Sequence, residues 1–206
     1  MTNPSTTVTA RPATRDDVPQ LAAALGAAFQ TDPVMSWIYP DPGHRARRVA
    51  PMFEVLARRF HLRHGHTQVA TDGARTLGGA MWDPPEHWQV GAVRTLLALP
   101  QAVAAMGGAT GRGLAVTNAF EAVHPYEPHF YLAYIGARPE AQGRGVGSTL
   151  MRFALAEADR LRMPAYLESS DEANVGYYER FGFRVVGEVR LPHGPLVPTM
   201  WRPAQS

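Results

Sequence analysis

The chain has 206 residues, with 20 Arg and no Lys set against 18 acidic residues, a net charge of +2, and no cysteine. Its length suits one domain with a full core, and 45% hydrophobic with 18% charged residues is the make-up of an ordinary globular protein. So small and scattered a charge argues against nucleic acid. The missing lysine excludes a Schiff base and a phosphate-loop lysine, and the missing cysteine excludes disulfides, thiolate metal sites and a cysteine nucleophile.

Residues 1–7 are polar and predict a flexible N-terminus, with neither the basic start nor the apolar run of a signal peptide. No stretch approaches the roughly 18 apolar residues of a membrane span, so no membrane contact and a cytoplasmic location are expected. A single domain is expected over 8–203. "VTARPA" (8–13) reads as a strand. In the following "TRDDVPQLAAALGAAF", Thr14 and Asp17 stand at capping-box spacing, and Val18, Leu21, Leu25 and Phe29 recur at helical period. "TDPVMSWIYPDPG" is a turn-rich connection. A second amphipathic helix is expected from about His44 to His64, with Val49, Met52, Phe53, Leu56 and Phe60 on one side.

"HTQVAT" and "TLGGAMWDPP" read as a strand pair closed by Pro84-Pro85. Residues 86–128 hold two helical patterns split by "GGATGRG", long enough for a helical insertion over one face. "HFYLAYIGA" (129–137) reads as a buried strand. A glycine-rich loop, a helix over 146–162, the strand "AYLESS", a short helix near 173–181, the strand "FRVVGEVRL" and a last strand including "PTMW" complete a mixed α/β order.

"EAQGRGVGSTLM" (140–151) places three glycines before a helix start, where unpaired backbone N–H groups and a partial positive charge favour anions. An ATPase-type phosphate loop requires the absent lysine. A dinucleotide fingerprint requires G-x-G-x-x-G at a strand end; here "RPEAQ" intervenes, although Glu168 stands where a ribose-binding acid would. Gln142-x-x-Gly145-x-Gly147 matches the Q/R-x-x-G-x-G/A pattern of acetyl-CoA-dependent N-acetyltransferases in full.

With "FYLAYIGARPEAQGRGVG" and "LESSDEANVGYYERFGFRVVGE" in order, and Asn174, Tyr178 and Gly182-Phe183 at N-x-x-x-Y-x-x-x-G-F spacing, the chain resembles the GNAT superfamily (Gcn5-related N-acetyltransferases). "ATRDDVP", "WDPPEHWQVGAV" and "YLESS…YYERFGF…VPTMW" are similar to its puromycin N-acetyltransferase-like bacterial branch.

The resemblance implies an α/β GNAT fold. Its mixed, mostly antiparallel central sheet has helices on both faces, splayed fourth and fifth strands, and a helical insertion before the fourth. It implies acetyl-CoA as co-substrate, held by Gln142, Gly143, Arg144, Gly145, Val146, Gly147 and Ser148, by open backbone at Ile135, Gly136 and Ala137, and by Asn174. Tyr178 is the implied general acid. For the base, Glu168 is the first choice, with His129, Tyr131 or a water chain as alternatives. Without a cysteine nucleophile, direct attack by a small-molecule primary amine in a ternary complex is expected. The alternative is a non-catalytic acyl-CoA-binding sensor or partner protein; monomer or homodimer stays open.

Among remaining features, "HLRHGH" (61–66) reads as an exposed helix end rather than a metal site, and no metal is expected. "HRARR" (44–48) reads as a solvated helix face. Trp37, Tyr39, Trp82 and Trp88 are candidates for lining an acceptor pocket.

Overall fold

Seven short runs rich in β-branched and aromatic residues join into one sheet of order β1-β2-β3-β4-β5-β7-β6. They are β1 Thr9–Pro12, β2 Thr67–Thr71, β3 Thr76–Asp83, β4 Phe130–Ala137, β5 Ala165–Glu168, β6 Arg184–Arg190 and β7 Leu196–Arg202. The computed structural model describes residues 7–73, 75–88, 100, 101 and 103–205. Most of the expected flexible N-terminus and residues 89–99 of the insertion lie outside the described residues. Every pairing is antiparallel except β4 with β5. The mixed, mostly antiparallel α/β sheet that the resemblance implies is therefore present.

Side-chain alternation gives the sheet two apolar faces, each covered by helices. α1 (Val18–Ala28) and α3 (Pro42–Leu56) cover one face: Leu21, Leu25, Val49 and Phe53 pack with Val69 and Met81. α5 (Val146–Arg160) covers the other, where Leu150, Met151 and Leu155 meet Leu77, Trp82, Leu132 and Leu167. Each fully buried Leu contributes about 2 kcal/mol of transfer free energy, so the helical stripe read in the sequence holds α1 to the sheet, and the buried Leu150, Met151 and Leu155 hold α5. Asp17 accepts hydrogen bonds from the Thr14 N–H at 2.7 Å and from Arg11 at 2.7 Å, tying the entry of α1 to β1.

Several expectations change. The 44–64 helix starts at Pro42, capped by Asp41, and past Leu56 it widens into a π turn at Ala57–His61 and then a 3-10 turn. "HRARR" is also not a free solvated face, because Arg45 donates to the Tyr39 carbonyl at 2.6 Å and Arg48 to the Ala104 carbonyl at 2.7 Å. Within "GGATGRG" the break between helices falls at Gly107–Ala109, a 3-10 turn between helical residues 103–106 and α4 (Thr110–Glu121), which takes in Gly111 and Gly113; Thr110 closes the turn by donating to the Gly107 carbonyl at 2.7 Å. A short helix, α2 (Pro33–Ile38), with Asp32 as N-cap, fills the connection read as turn-rich, and α6 (Val175–Glu179) follows β5. Among the described residues no helix is long and apolar enough to cross a membrane.

Candidate active site

The parallel pairing of β4 with β5 covers only Phe130–Leu132 and Ala165–Leu167. Beyond it, among the described residues, β4 continues to Ala137 alongside β3 alone, so the strands part and one edge of β4 is open. At the same level the register with β3 shifts between Met81 and Trp82, leaving Ala133 as the extra residue of a bulge. The bulge brings Tyr131 and Tyr134, three residues apart, to the same face, where an unbroken strand would put them on opposite faces. Arg138 N–H donates to Leu77 O at 2.8 Å. Antiparallel alternation then sends the backbone groups of Gly136 toward β3 and those of Ile135 and Ala137 toward the open gap. Gly136 has a packing reason of its own: a Cβ there would stand 2.8 Å from Ala28 Cβ on α1.

The glycine loop follows β4 through a 3-10 turn, Pro139–Ala141. Gly143 and Gly145 have φ of 75° and 79°, left-handed values that a Cβ penalises, and the space where those Cβ atoms would sit is open. Gly145 is the N-cap of α5, with no side chain capping it, and the first backbone bond into the helix is Thr149 N–H to Gly145 O at 2.9 Å. The N–H groups of Val146, Gly147 and Ser148 therefore stand ahead of the ladder and can take an anion. Gly147 differs, since a Cβ there would meet Tyr177 Oη at 2.8 Å. Gln142 and Arg144 are exposed beside the loop, and Arg144 reaches Asp72 at 3.2 Å. The turn between β4 and the first glycine, in a mainly antiparallel sheet, is not the strand-to-helix junction of a dinucleotide site. A pyrophosphate-bearing ligand such as coenzyme A fits this loop, where the N–H groups of Val146, Gly147 and Ser148 precede the helix ladder and, among the described residues, the space beside Gly143 and Gly145 is open.

A cavity of about 990 Å³ runs from this loop, past the gap beside Ile135, to the space under α2, α3 and α4. Tyr178, Glu168, Tyr131, Asn174 and the loop residues Gln142, Gly143, Gly145, Val146, Gly147 and Ser148 all line it. Tyr178 on α6 is buried, and burial raises its phenol above the usual value, so the hydroxyl keeps its proton at neutral pH. Asn174 occupies the N-cap position of α6 without capping it by its side chain.

At the end of β5 the Glu168 carboxylate is 1% exposed, and its Oε1 has no hydrogen-bond partner among the described residues. His124 Nδ1 lies 3.6 Å away. His129, at the head of β4, does not face the cavity: its Nδ1 meets the Glu127 carbonyl at 2.6 Å and its Nε2 meets His124 Nε2 at 3.0 Å. Burial lowers the His129 imidazole to about 4. Burial, and then the nearby Glu168, push the Tyr131 phenol well above its usual range.

Of the four aromatics suggested for an acceptor pocket, only Trp88 lines the cavity, stacked on His124 at 3.7 Å. Tyr39 and Trp82 are core residues, 1% exposed, and Trp37 packs against Gly194 beneath Arg112. His61, read as part of an exposed helix end, is instead buried. The π turn carries it inward, where Nδ1 meets Asp83 Oδ1 at 2.9 Å, and both residues line the cavity. Asp32 lines it too. Its carboxyl, raised by burial, accepts from Met35 N–H at 2.7 Å and from the Ser170 hydroxyl. His61, Asp83 and His124 carry no motif, and only the alternation of β3 hinted that Asp83 faces inward. No group of three or more His, Cys, Asp or Glu among the described residues is arranged to hold a metal ion.

Residues 33–183 match the model of the acetyltransferase (GNAT) family. The chain is similar over 97% of its length, and 98% of the other chain, to the Corynebacterium glutamicum structure titled histone acetyltransferase HPA2 and related acetyltransferase, with 27% identity and a TM-score of 0.75. It shares its fold with a polyamine N-acetyltransferase of Drosophila melanogaster (15% identity, TM-score 0.60, covering 95% and 99% of the two chains). The same holds for arylalkylamine N-acetyltransferase 2 of Aedes aegypti, at 12% identity, TM-score 0.64, and 96% and 99% coverage.

Proposed function

Because the chain belongs to the GNAT family of acetyltransferases, we propose that it moves acetyl from acetyl-CoA to a primary amine of a small molecule by direct attack in a ternary complex. The observation that carries this reading is that one cavity joins four features: the uncapped N-terminus of α5, the open edge of β4, the phenol of Tyr178 and the carboxylate of Glu168.

In this reading Gln142, Gly143, Arg144, Gly145, Val146, Gly147 and Ser148 hold the pyrophosphate, while Ile135 and Ala137 pair with the pantetheine arm. Asn174 hydrogen-bonds the same ligand. Backbone N–H groups at the open edge face the thioester oxygen as it gains charge. Tyr178 donates its proton to the departing thiolate; a phenol of raised pKa stays protonated until a strong base forms beside it. Glu168 removes the proton that keeps the amine from attacking. Of its rivals, His129 has both ring nitrogens engaged, and Tyr131 holds its proton too tightly to act as a base near neutral pH.

The acceptor end is walled by Phe29, Met35, Met52, Phe60, Leu114 and Phe120. That lining suits an amine carried on an apolar body, and the puromycin-like branch resemblance points the same way. The test is acetyl-CoA-dependent thiol release across a panel of primary amines that includes puromycin. Turnover with an apolar-bodied amine supports the reading. Tight acetyl-CoA binding with silence across the panel returns the chain to a non-catalytic acyl-CoA binder.

A further inference from the structure

We propose that His124, held in one tautomer by His129, is a proton relay behind Glu168, the positioning residue that accepts the proton Glu168 takes from the amine. This rests on the acetyl-transfer reading and deepens it, and it follows from counting hydrogens along the contacts. His129 Nδ1 lies 2.6 Å from the Glu127 carbonyl, which only accepts, so the hydrogen of a neutral His129 is on Nδ1 and its Nε2 carries a lone pair. The low His129 value, set first by burial, keeps that ring neutral. The 3.0 Å contact between the two Nε2 atoms then requires the hydrogen to come from His124. With Nε2–H committed, His124 Nδ1 is a lone pair when the ring is neutral, and it faces Glu168 Oε1 at 3.6 Å.

A lone pair and a carboxylate do not attract each other; one added proton between them satisfies both. That proton has two homes, on Glu168 as a carboxylic acid or on His124 as an imidazolium paired with the carboxylate. The other groups packed on His124 do not compete for it. Trp88 stacks on one side of the ring, and Tyr131 and Tyr166 meet it edge-on from β4 and β5. Both phenols are raised by burial and then by Glu168, so they stay protonated.

An amine reaches the site as R–NH3+. Glu168 takes one proton from nitrogen and passes it to His124 Nδ1, which frees the carboxylate again. The nitrogen lone pair forms the C–N bond, the C–S bond breaks with its electrons going to sulfur, and Tyr178 protonates the sulfur. Nitrogen then loses its second proton to Glu168. Of the two protons removed, one replaces the one Tyr178 gave and the other leaves to solvent with the products.

The test uses His124→Gln and His124→Gly. The first should lower kcat about tenfold to a hundredfold at neutral pH, with the KM for acetyl-CoA within about twofold. The acid limb of its kcat/KM profile should move to lower pH, because the resting pair loses one of the two homes for the proton that blocks Glu168. Added imidazole should restore activity to His124→Gly. A His124→Gln enzyme with unchanged kcat and unchanged pH profile overturns the relay. Should these variants fail to fold, nitrogen-15 imidazole NMR of the unaltered protein decides instead. Nε2–H on His124 and Nδ1–H on His129 are expected, and the opposite tautomer on either ring overturns the proposal. Glu168→Gln separates the two readings: full activity there removes Glu168 as base, whereas a slow Glu168→Gln beside an unaffected His124→Gln removes the relay alone.

Discussion

Replacing Gly145 probes the loop through two effects of different size. Its φ of 79° means that any Cβ costs backbone strain, about 1–2 kcal/mol. A Cβ there meets no protein atom within 4 Å, so Gly145→Ala carries little beyond that strain. At about 2–4 °C per kcal/mol for a chain of this size, its melting point should fall by roughly 2–8 °C. Gly145→Glu adds a carboxylate at the helix start. That favours the free helix slightly, by about 0.3–1 kcal/mol, but opposes a pyrophosphate. Two negative charges about 4 Å away cost on the order of 1 kcal/mol each even at the dielectric constant of water. Acetyl-CoA should therefore bind at least about thirtyfold more weakly to Gly145→Glu, while the melting point stays near that of Gly145→Ala. Isothermal calorimetry with acetyl-CoA measures the first and thermal unfolding the second. Affinity within threefold of the unaltered protein in Gly145→Glu would show that the pyrophosphate lies elsewhere.

Tyr178→Phe should lower kcat about a hundredfold or more with the acetyl-CoA dissociation constant unchanged; equal losses in both would remove its role as acid. His61→Leu leaves Asp83 buried without its partner and should destabilise by about 3 kcal/mol, whereas a His61→Leu/Asp83→Leu pair should regain most of that in urea unfolding. A double variant as weak as the single one would contradict this account of a buried hydrogen-bonded pair. His129 has a folded-state value of about 4 against 6.5 in an unfolded chain, so between these values the unfolded chain binds the extra proton. Stability contributed by its neutral form is present above about 6.5 and lost as pH falls toward 4, by about 3 kcal/mol at most. His129→Gln should flatten that part of the stability–pH curve, and an unchanged slope would place the loss on other groups.

What could be read along the chain was whatever depends on neighbours in sequence. The stripe of α1 follows from helical period, and the glycines of the loop follow from φ values that a Cβ resists. Glu168 on the tail of β5 and Tyr178 four residues after Asn174 were also within reach, through the family pattern that their stretches resemble. What depended on tertiary structure was direction. One extra residue at Ala133 turns Tyr134 to the face of Tyr131 and leaves an edge of β4 open. A π turn after Leu56 carries His61 from an expected surface into contact with Asp83. His124 meets Glu168 and His129 only because the segment after α4 folds back over the sheet. A bulge or a widened helical turn shifts side chains by one residue without changing the pattern of residue types around it, so its effect is settled by packing against distant strands. The glycine loop is thus local and legible, whereas His61, Asp83 and His124 are brought to the far part of the cavity from segments that share no local pattern.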